Sequence, residues 1–297
     1  MTCISKLKHL PAATAVALLG IASPLFAAPV AVATGEYPPY LGAELPGGRL
    51  ANGMLEQIAN TADLDLSFDF MPWKRSFELL RRGDHNILSF WSEIPDADGL
   101  VKVGPVVTGR MTLFHLADTP IPKFDHISDV SGLTIGTIKG FTYDPDFWAH
   151  VESGAIDVDA AQTDVANMKK LLAGRIDAVI IDELVGRATL LAHFSAEDQA
   201  KIVISDSTIV NIDSFFWVAA SEASGQSLAT QLQATFDSMV ENGDWDRLWA
   251  AQLAAAGLSA WPKRQWQRYW RRDWRRQNPN PAEEIASCKP AMPHRAC

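Results

Sequence analysis

The chain's 297 residues are 47% hydrophobic, 21% charged and 9% aromatic, with 19 Gly and 17 Pro. That composition excludes a collagen, a disordered tail protein and a disulfide-dense miniprotein, and the length implies about two domains at roughly 100–200 residues each. The formal charge of −9 is uneven: seven cations crowd residues 263–276, and residues 9–260 sum to −17. So acidic a body repels phosphate backbones, which excludes nucleic acid as a partner of the main domains.

Residues 1–28 read as a cleavable secretory signal. Lys6 and Lys8 form a positive start, Ala12 to Phe26 are apolar or small, and Ala27-Ala28 offers a small-residue cleavage site. An apolar run of about 15 residues broken by Pro24 is short for a bilayer span. The expected mature chain is therefore exported, starts near Ala28 and stays soluble. Of the three Cys, Cys3 leaves with the signal, while Cys288 and Cys297 lie in a polar tail. There they either pair or remain free thiols, and neither reading makes them catalytic.

Strands and helices alternate from Pro29 onward. Val30–Thr34 reads as a buried strand that runs into the aromatic turn Gly35-Glu-Tyr-Pro-Pro-Tyr40. Met54, Leu55, Ile58 and Ala59 recur at helical spacing, and Leu64 to Phe70 alternates as a half-buried strand. Pro72 opens a helix that Gly83 closes, and Ile87 to Trp91 is a further strand. Polar residues with Pro120 and Pro122 then read as an interdomain connection near 118–130. A second series follows, with strands at 133–138, 156–158, 176–181, 202–204 and 215–219. Its helices fall at 146–152, after a Thr163 cap to Gly174, at 184–194, and along Leu228, Leu232, Phe236 and Met239. The alternation predicts α/β domains with mainly parallel sheets, whose ligands lie beyond the carboxyl ends of the strands.

The loops at those strand ends carry the candidate chemistry. The seven His show no metal-ligand spacing, and neither a nucleophile elbow nor a phosphate loop occurs. No metal, cofactor or catalytic residue is expected. Tyr37, Tyr40, Trp73 and Trp91 offer rings that either bury and stack on a small ligand or pack in the core. Gly140-Phe141-Thr142 follows a strand and can present N–H groups to a carboxylate. Asp182 ends the apolar run Val179-Ile180-Ile181, where an acid either caps the next helix or receives a ligand.

Gly174-Arg-Ile-Asp-Ala-Val-Ile-Ile-Asp182-Glu183 resembles the segment of family 3 bacterial extracellular solute-binding proteins that carries their ligand-ammonium aspartate. Glu36-Tyr-Pro-Pro-Tyr40, Pro72-Trp-Lys-Arg75, Asp129 to Gly136 leading to Gly140-Phe-Thr142, and Asn242 to Trp249 resemble further stretches of that family in the same order. The resemblance covers about residues 30–250 and implies the two-lobed type II periplasmic binding protein fold, with two hinge crossovers and a ligand cleft between the lobes. Lobe 1 would span 29–115 plus 216–260 and lobe 2 116–215, with crossovers near 113–117 and 212–217. In that arrangement Asp182 takes an ammonium, Gly140 and Thr142 bind a carboxylate, Tyr37 and Tyr40 line the aromatic side, and Ser89 and Ser92 add polar contacts. One departure matters: where amino-acid binders of the family carry a carboxylate-clamping Arg, this chain reads Glu93-Ile-Pro-Asp-Ala-Asp-Gly99. Either Arg75, Lys74 or Arg110 supplies the cation, or the ligand is not an ordinary α-amino acid.

The implied role is a monomeric, non-enzymatic periplasmic receptor that delivers a small polar solute to an inner-membrane ABC permease. A module presenting the solute to a membrane receptor is the alternative. A dehydratase-like enzyme using Glu36, Glu93 or Glu183 as its acid or base is a third reading. Residues 261–276 place Trp266, Trp270 and Trp274 on one helical face amid Arg, a face suited to an anionic membrane surface, a partner or the acidic body itself. The Pro-rich tail beyond, to residue 297, reads as disordered.

Overall fold

The computed structural model describes residues 28–45, 50–141 and 143–258. The signal stretch before Ala28, Thr142, the Trp/Arg segment 261–276 and both C-terminal Cys lie outside the described residues.

The first β-α series forms as its periodicity predicts. Strand β1 (Val30–Thr34) pairs in parallel with β2 (Leu66–Phe70) and with β3 (Ile87–Trp91). Helices α1 (Leu50–Thr61) and α2 (Trp73–Arg82) provide the connections between them. Gly83 ends α2 in the left-handed conformation at φ 75°, where its N–H and that of Asp84 close on Leu80 and Leu79 carbonyls. The second series holds β5 (Thr134–Ile138), α3 (Pro145–Glu152), β6 (Asp157–Ala161), α4 (Asp164–Leu172), β7 (Ala178–Asp182), α5 (Glu183–His193) and α6 (Ala196–Lys201). Here β5 runs parallel to both β6 and β7. The described residues close with α7 (Ala223–Glu241) and α8 (Asp244–Ala255).

What joins the two series is a pair of long strands. Strand β4 (Leu100–Leu116) and β9 (Val210–Ala219) pair antiparallel with each other. β9 also meets β3, while β4 meets β7 and the short β8 (Ile202–Ile204), all antiparallel. Among the described residues one nine-stranded sheet results, in the order β2-β1-β3-β9-β4-β7-β5-β6, with β8 beside β4. The expected mainly parallel pairing is thus corrected, because the joining strands bring antiparallel ladders to the middle of the sheet. β4 was hidden in the sequence by Gly104-Pro105, which reads locally as a breaker. Its Pro sits where the β4–β9 register shifts between Val103 and Val107, a bulge where a strand tolerates the missing N–H. Leu113 to Leu116, at the end of β4, pair with β7 and β8.

Three apolar clusters hold the layers. The largest packs α1, α7 and α8 against β1, β3 and β9, and continues to Met168, Val179 and Leu184 of the second series. A second lies around Phe147, Ile135 and Leu113, and a third lies under α2 with Leu88 and Trp217.

Candidate functional site

Tyr40 and Asp182 meet although 142 residues separate them. The turn after β1 carries Tyr37 and Tyr40, and backbone bonds between Tyr37 and Leu41 in both directions fix its shape. Tyr37 stacks on Tyr40 at 5.6 Å and 19°, and Tyr40 stacks on Phe90 at 4.6 Å and 26°. Phe90 holds φ 60°, an uncommon conformation for a bulky residue, and the ring it presents completes the stack. Trp249 of α8 backs Tyr40 at 6.5 Å.

Asp182 ends β7 with every residue of that strand buried. Its Oδ1 accepts the Leu184 and Val185 N–H groups at 2.9 and 3.1 Å, so it caps α5, and it also accepts the Tyr40 hydroxyl at 3.1 Å. The cap reading of the sequence is therefore realised by one oxygen. Oδ2 has no hydrogen-bond partner among the described residues and faces Gly109, where an added Cβ would lie only 2.6 Å from it. Burial pushes the Asp182 carboxyl up to about 6, against the lowering pull of those three donors. Asp164, in the first turn of α4, is also raised to about 6 by desolvation. Both carboxylates act electrostatically on the phenol of the half-buried Tyr37, whose pKa rises well above its ordinary value, foremost through desolvation. Asp164 acts likewise on Tyr143, whose phenol burial pushes up to about 12.

The other expected site residues disperse. Trp73 and Trp91 contact each other at 4.9 Å, with Phe77 edge-on to Trp91, in the cluster under α2. There the Trp73 ring covers Gly35 so closely that a Cβ would clash at 2.4 Å. Ser89 is fully buried and donates to Asn52 Oδ1, leaving Asn52 Nδ2 without a partner among the described residues. Ser92 is half-buried and its carbonyl accepts from Trp217 Nε1 at 3.3 Å. Arg75 and Lys74 are exposed on α2. Gly140 turns the chain at φ 79°, and the Phe141 N–H is already spent on the Ile138 carbonyl at 3.1 Å. Phe141 itself is exposed beside Tyr143, with ring centroids 5.0 Å apart.

Arg110 is committed elsewhere. Its Nε donates to Glu183 Oε2 at 2.7 Å, and its Nη1 to the carbonyls of Ser205 and Ser207 at 3.2 and 3.1 Å. Glu183 is buried and its other oxygen receives Arg187 Nη2 at 2.8 Å. Of the three carboxylates considered as a catalytic acid or base, Glu183 is therefore gripped between two guanidinium groups. Glu93 pairs with Lys102 at 3.2 Å, and Glu36 accepts the Ala43 N–H at 3.2 Å.

Solved structures match this architecture. The GluR0 ligand-binding core in complex with L-glutamate aligns with a TM-score of 0.61 at 13% identity, covering 77% of this chain and 99% of that one. A histidine kinase sensor domain with similarity to periplasmic binding proteins aligns at 0.59 and 17% identity, over 76% and 96% of the two chains. An amino acid ABC transporter substrate-binding protein from Streptococcus pneumoniae, bound to L-arginine, aligns at 0.56 and 16%, over 76% and 95%. The fold is that of the type II periplasmic binding proteins. Binding proteins and sensor domains both stand among the matches. No protein-family model matches the chain, and no curated protein matches it by sequence. Among the described residues no helix is long and apolar enough to cross a membrane.

Phe90, Asn52, Asp164 and Gly109 were not anticipated as neighbours of the site. Asp164 carried a signal, since it directly follows the Thr163 cap at a strand-to-helix loop; Phe90 carried none beyond its place in a strand.

Proposed function

We propose that the protein is an exported receptor of the family 3 solute-binding type that captures a small solute bearing an ammonium group. Asp182 carries this reading: its carboxylate is nearly stripped of water, one oxygen is spent on the helix cap and Tyr40, and the other is left for a donor. A cation offsets the cost of that buried charge in a way that a neutral solute does not. The first lobe, 29–115 with 216–260, would close on the second, 116–215, about β4 and β9, and the Tyr40–Asp182 contact would seal the two. Delivery to an ABC permease is the proposed role, supported by the match to a transporter component. The match to a kinase sensor domain favours a second reading, presentation of the solute to a membrane receptor. A thermal-shift screen of amino acids, amines and organic acids tests the binding role, because a ligand at 100 times its Kd adds about 2.7 kcal/mol. Ammonium-bearing compounds should raise the melting temperature, and Asp182→Asn should abolish the rise. Stabilisation by anions or neutral sugars alone would overturn the assignment. Uptake of the labelled hit, lost on deletion of the gene, separates transport from sensing.

A further inference from the structure

Strands β4 and β9 pass between the two halves of the molecule, and the sheet is narrowest midway along them. At residues 100–103 β4 lies beside β9, which β3 flanks in turn, and at 111–116 it lies beside β7 and β8. Between these stretches residues 107–110 pair with 211–214 and, among the described residues, with no other strand. A ribbon of two strands twists and bends more readily than a wide sheet.

Each end of the ribbon is fastened by a buried side chain that reaches a different half. Gln233 of α7 accepts the Gly104 N–H at 3.0 Å and donates through Nε2 to Asp237 at 2.9 Å, so the bulge at 103–107 is fixed to α7. Arg110 fixes the other end to Glu183 of α5 and to the carbonyls of Ser205 and Ser207. Breaking either set strands a buried polar group, so both ends resist movement. Val107, Thr108 and Gly109 stand between them. Thr108 lies directly opposite Asp213, and its hydroxyl donates to Asp213 Oδ1 at 2.6 Å. Among the described residues that is the one side-chain hydrogen bond between the two strands of the ribbon. Gly109 ends the stretch against Asp182 Oδ2.

We infer that the lobe closure proposed above is a bend confined to residues 107–109 and 212–214, clasped across the strands by Thr108 and Asp213 and bounded by Gln233 on one side and Arg110 on the other. The inference rests on the two-lobe reading and not on the charge of the solute. Since Gly109 lies against Asp182 Oδ2, a donor held by that oxygen touches the hinge as well.

Pulsed electron paramagnetic resonance on the purified protein tests this. Spin labels at Gln57→Cys in α1 and Lys169→Cys in α4, both exposed positions, report the spacing of the halves once Cys3, Cys288 and Cys297 are replaced by Ser. Thr108→Val keeps the side-chain shape and removes the clasp. It should shift or widen the distance distribution by more than about 2 Å, the scale of a domain rearrangement, and Thr108→Ser should restore the wild-type distribution. Gln233→Met should widen it likewise. Thr112→Val, past Arg110 in the same strand, loses hydrogen bonds to the Ser205 and Ser207 carbonyls. It should lower the melting temperature and leave the distribution unchanged. Superposition of the Thr108→Val and Gln233→Met distributions on that of wild type would overturn the inference, and so would an equal shift from Thr112→Val. Either result leaves the ammonium reading to the Asp182→Asn titration. Distributions that respond as expected, in a protein that binds no ammonium compound, would keep the hinge and remove the solute assignment.

Discussion

The Tyr40 hydroxyl donates to Asp182 Oδ1 at 3.1 Å, and the same oxygen receives the Leu184 and Val185 N–H groups in the first turn of α5. A hydroxyl from the turn after β1 and two N–H groups from the start of α5 thus share one acceptor at the end of β7. The carboxylate is held rigidly, with Oδ2 left over on the side of Gly109. A group with both a capping and a binding role separates under substitution, because the cap needs an oxygen and the binding needs a charge.

Asp182→Asn keeps a side-chain oxygen for the cap and for Tyr40. Affinity for an ammonium solute should fall by about 30- to 4,000-fold, equivalent to about 2–5 kcal/mol, with the ligand-free melting temperature unchanged or raised. Asp182→Ala should lose that affinity and in addition about 1 kcal/mol of stability through the missing cap. Calorimetry and thermal melting of both variants check the split; wild-type affinity in Asp182→Asn would contradict it.

The acid range should separate binding from stability. Asp182 and Asp164 are both raised to about 6, above the ordinary carboxylate value near about 4. Each contributes stability that is present while it is protonated in the fold and is lost as pH rises from about 4 through about 6. The ligand-free protein should therefore gain stability from these groups on going from pH 7 to pH 5. Ammonium binding should run the other way and weaken at least about tenfold over the same interval. Titrations and melts at both pH values, with Asp182→Asn as the control that flattens its share, give the answer.

Glu183 bonds two guanidinium groups in a buried position, and Arg110 in turn ties β4 to the carbonyls of 205–207. Glu183→Gln should cost about 3–5 kcal/mol, because the buried Arg110 charge loses its counterion. Denaturant unfolding measures the loss. A cost below about 1 kcal/mol would mean that water replaces the carboxylate freely.

Gly109 has no unusual φ, yet a Cβ there would press on Asp182 Oδ2 at 2.6 Å. Gly109→Ala should destabilise the protein by about 1–3 kcal/mol, or turn the carboxylate and lower ammonium affinity. Melting curves together with titration reveal which; a silent substitution in both would show that β4 yields there.

Local pattern made much of this protein readable from the sequence. The strands β1, β3 and β7, the Gly83 stop, the Thr163 cap and the acid closing β7 all lie in short segments whose periodicity and end residues are self-sufficient. Tyr37, Tyr40 and Asp182 were singled out by their place at strand ends, where a ring either meets a ligand or packs and an acid either caps the next helix or binds. Only the tertiary structure decided which rings meet: Phe90 joins the tyrosines, while Trp73 and Trp91 pack with each other under α2. It alone paired Arg110 with Glu183, 73 residues away, and it alone drew β4 through a Gly-Pro pair that reads locally as an end. The desolvation that raises Asp182 and Asp164 belongs to the same class. Periodicity reports which face of an element is apolar, whereas partner choice, burial depth and the cost of a charge depend on the atoms that distant segments bring to it.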